Sequence, residues 1–290
     1  VAPTPTAPAS APATDSAPVA LQSPTTGGLF PTNKTNTAGV AQSLSFAKFG
    51  QDAITQKLIG PWKSKVRLAI PHTPAVSPYI TQVFESLNMT TEFAYIMLIE
   101  SGYLLDGEYK PTVITTAANC GTAFGPWQIV NNTALGIKRL SGAGFQYTPI
   151  KGCGKQRMYS NSDDRGYLVQ STFMAAHYLN YLIKTYKLQS EPIMAVVGYN
   201  QGDSGPANAR NAFFRRFKNY NIDYRMVRKF NMAKTSYANQ FLAFREVGQN
   251  TQKYGLNAVP APKARTDIKR LSRVGGPTPT LSNVSTKAGQ

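Results

Sequence analysis

Residues 90–103 read TTEFAYIMLIESGY. Phe93, Ile96, Met97 and Glu100 fall there at i, i+3, i+4 and i+7, the spacing of one helical face. Thr90 is placed to cap the N-terminus and Glu92 lies in the first turn, so a helix is predicted that ends near Glu100. The run SEPIMAVVGYNQG at 190–202 repeats the design: Pro192 sits just inside the start, and Ile193, Val196, Val197 and Asn200 share one face. Longer amphipathic stretches extend from about Arg165 to Tyr186 and from about Lys234 to Val247. Alternating strand patterns with hairpin turns are scarce and no fixed-period repeat is visible, so the predicted fold class is mainly α.

Outward from these helices the composition changes. Residues 1–44 form a Pro/Ala/Thr-rich N-terminal segment whose first 32 positions carry one charge, Asp15, too little apolar surface to offset the cost of ordering. Such a start often follows a cleaved secretory leader, so the expectation is an exported chain, periplasmic or secreted. Residues 258–290 mix Pro, Gly and Ser with Lys263, Arg265, Lys269, Arg270, Arg273 and Lys287 and are read as a flexible basic tail. The intervening stretch, 45–257, has the size of one domain, and a monomer is expected.

The whole chain has 290 residues, 31 Lys and Arg against 14 Asp and Glu, and a net charge of +17, which draws anionic polymers: nucleic acid, anionic membrane or bacterial cell wall. No apolar run approaches the ~20 residues of a bilayer-spanning helix. The cysteines, Cys120 and Cys153, are too few for a four-ligand structural zinc site, and His72 and His177 are remote from both in sequence. No metal and no organic cofactor are expected. In an oxidising compartment Cys120 and Cys153 are expected to pair as a disulfide.

Glu100 stands at the last position of an otherwise apolar stripe, where the helix macrodipole opposes negative charge and apolar neighbours strip away water. Both effects favour the protonated carboxyl that glycosidic cleavage requires, since the leaving oxygen must receive a proton as its bond breaks. A glutamate of this kind standing alone is ordinarily a solvated helix-end residue.

Three short motifs accompany it. Glu100-Ser101-Gly102-Tyr103, then Gly125-Pro126-Trp127-Gln128-Ile129 with Thr133-Ala134, then Gly198-Tyr199-Asn200-Gln201-Gly202 resemble, in order, the signatures of soluble lytic transglycosylases and goose-type lysozymes. Asp163-Asp164-Arg165 leading into Ser171-Thr172 and Ala175-Ala176-His177-Tyr178-Leu179 is similar to the family's helix before its third motif. Residues 237–256 resemble the end of the membrane-bound transglycosylase D type of catalytic domain. The resemblance covers about residues 78–256 and implies a lysozyme-like single domain that cleaves the MurNAc-GlcNAc linkage of peptidoglycan. It implies Glu100 as general acid and then base, with the substrate's 2-acetamido group replacing a carboxylate nucleophile. Attack by water or by the sugar's C6 hydroxyl would make the enzyme a lysozyme or a lytic transglycosylase. Ser101 would orient substrate or Glu100, Gln128 would line the cleft, and Tyr199 and Asn200 would hold Glu100 or the sugar. Gly125 reads most simply as a backbone requirement, and Trp127 serves equally as core anchor or sugar platform.

The 27 residues from Glu100 to Trp127 exceed the family's spacing, so an insertion is expected there, containing Asp106, Glu108 and Cys120. From Leu68 to Tyr109 there is no Lys or Arg, yet five of the 14 acids occur: Glu85, Glu92, Glu100, Asp106 and Glu108. Asp106 and Glu108 beside the cleft would favour glycan whose N-acetyl groups have been removed, although the ordinary reading of such a charge run is a solvated surface. Two other functions compete. A catalytically inert wall-binding module would share the motifs. A nucleic-acid-binding protein would explain residues 210–234, where eight cations interleave with aromatic residues against Asp223 alone, but no nucleic-acid-binding signature accompanies them.

Overall fold

The structure is a computed structural model that describes residue 46, residue 60, residues 62–63, 66–67, 69–102, 113–116, 119–142, 144–147 and 163–256. The segments read as N-terminal tether and basic tail, and the domain limits at 45 and 257, lie outside these. The described chain is mainly α, built from α1 (Thr73–Ser86), α2 (Ala94–Ser101), α3 (Asn131–Ser141), α4 (Leu168–Tyr186), α5 (Ile193–Gln201), α6 (Ser204–Phe217), α7 (Tyr224–Lys229) and α8 (Ser236–Gln249). A two-stranded antiparallel hairpin, β1 (Val113–Thr116) and β2 (Asn119–Thr122), pairs Val113 with Thr122 and Thr115 with Cys120. The hairpin falls inside the stretch expected as an insertion and makes contact with α3.

Helix α2 is the centre of the fold. Thr90 caps its entry by accepting from the Glu92 N–H at 3.3 Å, a 3₁₀ turn covers Thr91–Phe93, and Gly102 ends it at φ 65° with its N–H on the Leu98 carbonyl. Every residue from Ala94 to Ile99 is buried, so the helix is enclosed by the core on all sides rather than along one stripe. Glu100 alone in this helix escapes full burial. Helix α8 packs along α2, and α5 joins α4, α6 and α8. The α5 to α6 approach depends on Gly198, where a Cβ would come within 2.8 Å of Pro206 Cγ. No described helix is long and apolar enough to cross a membrane.

Glu92, which in sequence reads as a helix-start or surface acid, is instead 7 % exposed. Its carboxylate receives Arg245 Nη2 and Gln249 Nε2, each at 2.7 Å, and the Phe46 N–H at 3.1 Å. The ion pair clamps the entry of α2 to the far end of α8. Because both partners are desolvated, it is retained only through these further hydrogen bonds.

Candidate active site

The loop carrying Gly125 to Gln128 is closed by paired backbone hydrogen bonds between Phe124 and Ile129. Gly125 adopts φ 79°, and a Cβ there would lie 1.6 Å from the Arg165 carbonyl oxygen, so both the backbone angle and the close approach demand glycine. Arg165 is fully buried. Its guanidinium binds the Asp163 carboxylate (Nη2 to Oδ2, 2.7 Å), the Ile129 carbonyl (3.0 Å) and Asn131 Oδ1 (2.8 Å), while facing the Phe124 and Tyr147 rings. The Asp-Asp-Arg segment therefore holds the Gly-Pro-Trp-Gln loop in place.

Trp127 is a core anchor: it is 0 % exposed, and its indole N–H donates to Thr172 Oγ1 at 2.8 Å. Its carbonyl accepts the Tyr199 hydroxyl at 2.8 Å, which ties the second motif to the third. Gln128 takes φ 49°, an uncommon angle for a side-chain-bearing residue, and its amide nitrogen donates to the Gly125 carbonyl at 2.7 Å. Ser101 is buried with its hydroxyl on the Met97 carbonyl at 3.2 Å, one turn back along α2. Asn200 is exposed on the last turn of α5.

Glu100 emerges from this framework at the end of α2. The Tyr237 hydroxyl, from the first turn of α8, donates to Glu100 Oε1. Burial and then the charge of Glu100 push the Tyr237 phenol well above the ordinary tyrosine range, and the same two causes act on Tyr199. Both hydroxyls therefore stay protonated, as donors, throughout the range in which a carboxyl titrates. Glu100, Tyr199 and Tyr237 form one electrostatic group, with Trp127 and Gln128 held beside it by the Tyr199 bond.

Tyr237 has no role in the sequence reading beyond opening the last stretch of resemblance. The signal available was a tyrosine in the first turn of a helix whose next inward residues are Ala238, Phe241 and Leu242: a buried hydroxyl requires a partner. Sequence reasoning also leaves out Thr172 as the indole's acceptor and Asp203 as the acceptor for Tyr178 and Tyr181, at 3.2 and 2.8 Å.

Asp106, Glu108 and Cys153 lie outside the described residues, and Cys120 is placed only as a backbone position on β2. The expected disulfide and acidic cleft wall therefore lie outside the described residues as well. His177 is half-buried, edge-on to the Phe145 and Phe173 rings, and its pKa is lowered by burial and then by Lys184. It borders a pocket of about 510 Å³ with Ile137, Tyr181 and Asp203, and Glu100 does not line that pocket. Among the described residues no group of His, Cys, Asp and Glu could hold a metal ion. No family model matches this chain, and no curated protein matches it.

Proposed function

We propose that the protein is a peptidoglycan-cleaving enzyme, a lytic transglycosylase or lysozyme acting on the β-1,4 bond between MurNAc and GlcNAc, with a lysozyme-like arrangement of its helices. The observation that carries this reading is the setting of Glu100. It is a carboxyl at the end of a buried helix, hydrogen-bonded by Tyr237 and electrostatically coupled to Tyr199, in the motif order already described. A carboxyl so placed gives a proton to the glycosidic oxygen and then withdraws one from the attacking hydroxyl, so one residue serves both steps. Tyr237 acts as a positioning residue: its bond to Oε1 fixes the carboxyl's rotamer. Ser101 secures the last turn of the helix that carries the acid, Gln128 secures the Gly125 loop, and Asn200, exposed at the end of α5, is available to sugar hydroxyls. The acetamido group at C2 supplies the nucleophile that no second protein carboxylate provides in this scheme.

The test is digestion of purified sacculi, with mass spectrometry of the products to tell anhydro ends from reducing ends. Glu100→Gln keeps the size of the side chain and removes its titratable proton, so turnover falls by on the order of 10² or more. Turnover near wild type in that variant would exclude the assignment. Binding of sacculi without cleavage by the unaltered protein would leave a wall-binding module instead.

A further inference from the structure

The face built by α6, α7 and the turn between them carries cations that the proposed chemistry does not use. Among the described residues Arg210, Arg215, Arg216, Lys218 and Lys229 have no ion-pair partner, whereas other cations do: Arg165 with Asp163, Arg245 with Glu92, and Lys253 with Glu246. The acid of this stretch, Asp223, is committed elsewhere. Its carboxylate caps α7, accepting the Arg225 and Met226 N–H groups at 2.8 and 3.2 Å. Instead of acids, rings hold Arg210, Arg216 and Lys229. Arg216 Cζ lies 3.7 Å from the Phe230 ring centre and Lys229 Nζ 5.6 Å from the same ring, so two like charges stand within one screening length of ~10 Å. Arg210 lies over Tyr220 at 4.9 Å, and its Nε is shielded from water without a hydrogen-bond partner. Like charges gathered on a preorganised aromatic base repel one another until an anion enters.

The rings also indicate what kind of anion fits. Single-stranded nucleic acid is bound by stacking its bases on free aromatic faces. Here Phe214 lies flat on Tyr220, with centroids 4.1 Å apart and planes at 4°, and Arg216 covers Phe230. Among the described aromatic residues here only Tyr220, 49 % exposed, keeps much open ring surface, so the face offers charge and guanidinium forks but no run of rings on which successive bases could stack. Guanidinium forks match phosphate oxygens in geometry as well as charge.

We infer that the α6 to α7 face binds a phosphodiester polymer without bases, a flexible polyol phosphate threaded through the wall whose glycan the enzyme cleaves; this choice of occupant rests on the proposed function. The surface would hold the enzyme on its insoluble substrate while Glu100 works elsewhere on the molecule.

The experiment measures binding of the full chain, carrying Glu100→Gln so that nothing is cut, to purified poly(glycerol phosphate). Single-stranded and duplex DNA of matched charge serve as comparisons, between about 50 and 200 mM salt. Poly(glycerol phosphate) is expected to bind tightest at equal ionic strength. R215Q/R216Q/K218Q/K229Q should weaken it at least tenfold and lower the salt slope by about 0.7 for each cation removed. R215Q/K218Q, which leaves the ring contacts intact, should lose part of the affinity with an unchanged thermal transition, and R215K/R216K should retain most of it. Tighter binding of either DNA, or equal affinity of the wild-type and quadruple-variant surfaces, would overturn the inference. With Glu100 restored, the quadruple variant should digest phosphate-bearing sacculi slowly and phosphate-stripped sacculi at the normal rate. Equal slowing on both would also count against it. Because the binding measurement needs no turnover, failure of the proposed catalysis and failure of this surface are read separately.

Discussion

At the residue scale the functional reading turns on Tyr237 as much as on Glu100. A carboxyl on the last turn of α2 has several rotamers open to it, and a hydroxyl fixed by α8 selects one of them. Tyr237→Phe keeps the ring in the core and deletes that bond. The expected result is a fall in kcat of about tenfold with KM nearly unchanged, because the loss concerns the acid's alignment in the transition state rather than substrate binding. Kinetics on a soluble glycan strand check it; a change confined to KM would mean that the hydroxyl contacts substrate instead.

At the scale of elements, the loop of residues 124–129 depends on a buried pair that lies well beyond its own ends. Asp163 and Arg165 are almost completely sequestered, with side chains 2 % and 0 % exposed. Removing one partner leaves an uncompensated buried charge, so Asp163→Ala should destabilise by about 3–5 kcal/mol. Gly125→Ala should cost at least about 3 kcal/mol, since the new methyl meets the Arg165 carbonyl and the backbone angle is unfavourable for an L residue. Urea unfolding of both variants measures these losses. A Gly125→Ala protein of wild-type stability would show that the loop can move away from Arg165.

For the whole molecule, the tyrosines set the alkaline limit of stability. Burial is the largest cause raising the phenols of Tyr95, Tyr178, Tyr199 and Tyr237, with Asp203 adding to it at Tyr178 and Glu100 at Tyr199 and Tyr237. In the unfolded chain these groups lose protons near pH 10. The folded state holds them longer, so above that pH the folded form binds more protons and stability falls as pH rises. Their contribution is fully present below pH ~10 and is lost beyond it. The thermal transition should therefore be insensitive to these tyrosines from about pH 7 to 9 and drop steeply above about 10, with the tyrosinate absorbance of these four appearing only as the protein unfolds, after that of exposed tyrosines such as Tyr220. Tyrosinate absorbance from all four residues in the folded protein at pH 10 would contradict the burial on which this rests.

The helices of this protein are legible in its sequence because helical periodicity and end signals are local. Thr90 before an apolar run, Pro192 ahead of Ile193, and the three- and four-residue spacing all act within a turn or two. Gly125 was legible for the same reason, since backbone freedom is a property of one residue. Sequence alone also marked Glu100, the polar residue closing an apolar stripe. It could not show that α2 is buried on every side, because a stripe describes one face and what covers the other faces, α8 above all, comes from far along the chain. Nor could it pair Tyr237 with Glu100 across 137 residues, or Arg245 with Glu92 across 153. Neither partner of such a contact carries a local mark of the other: a buried hydroxyl or carboxylate requires only that some partner exist, and which one it meets is decided when the helices pack.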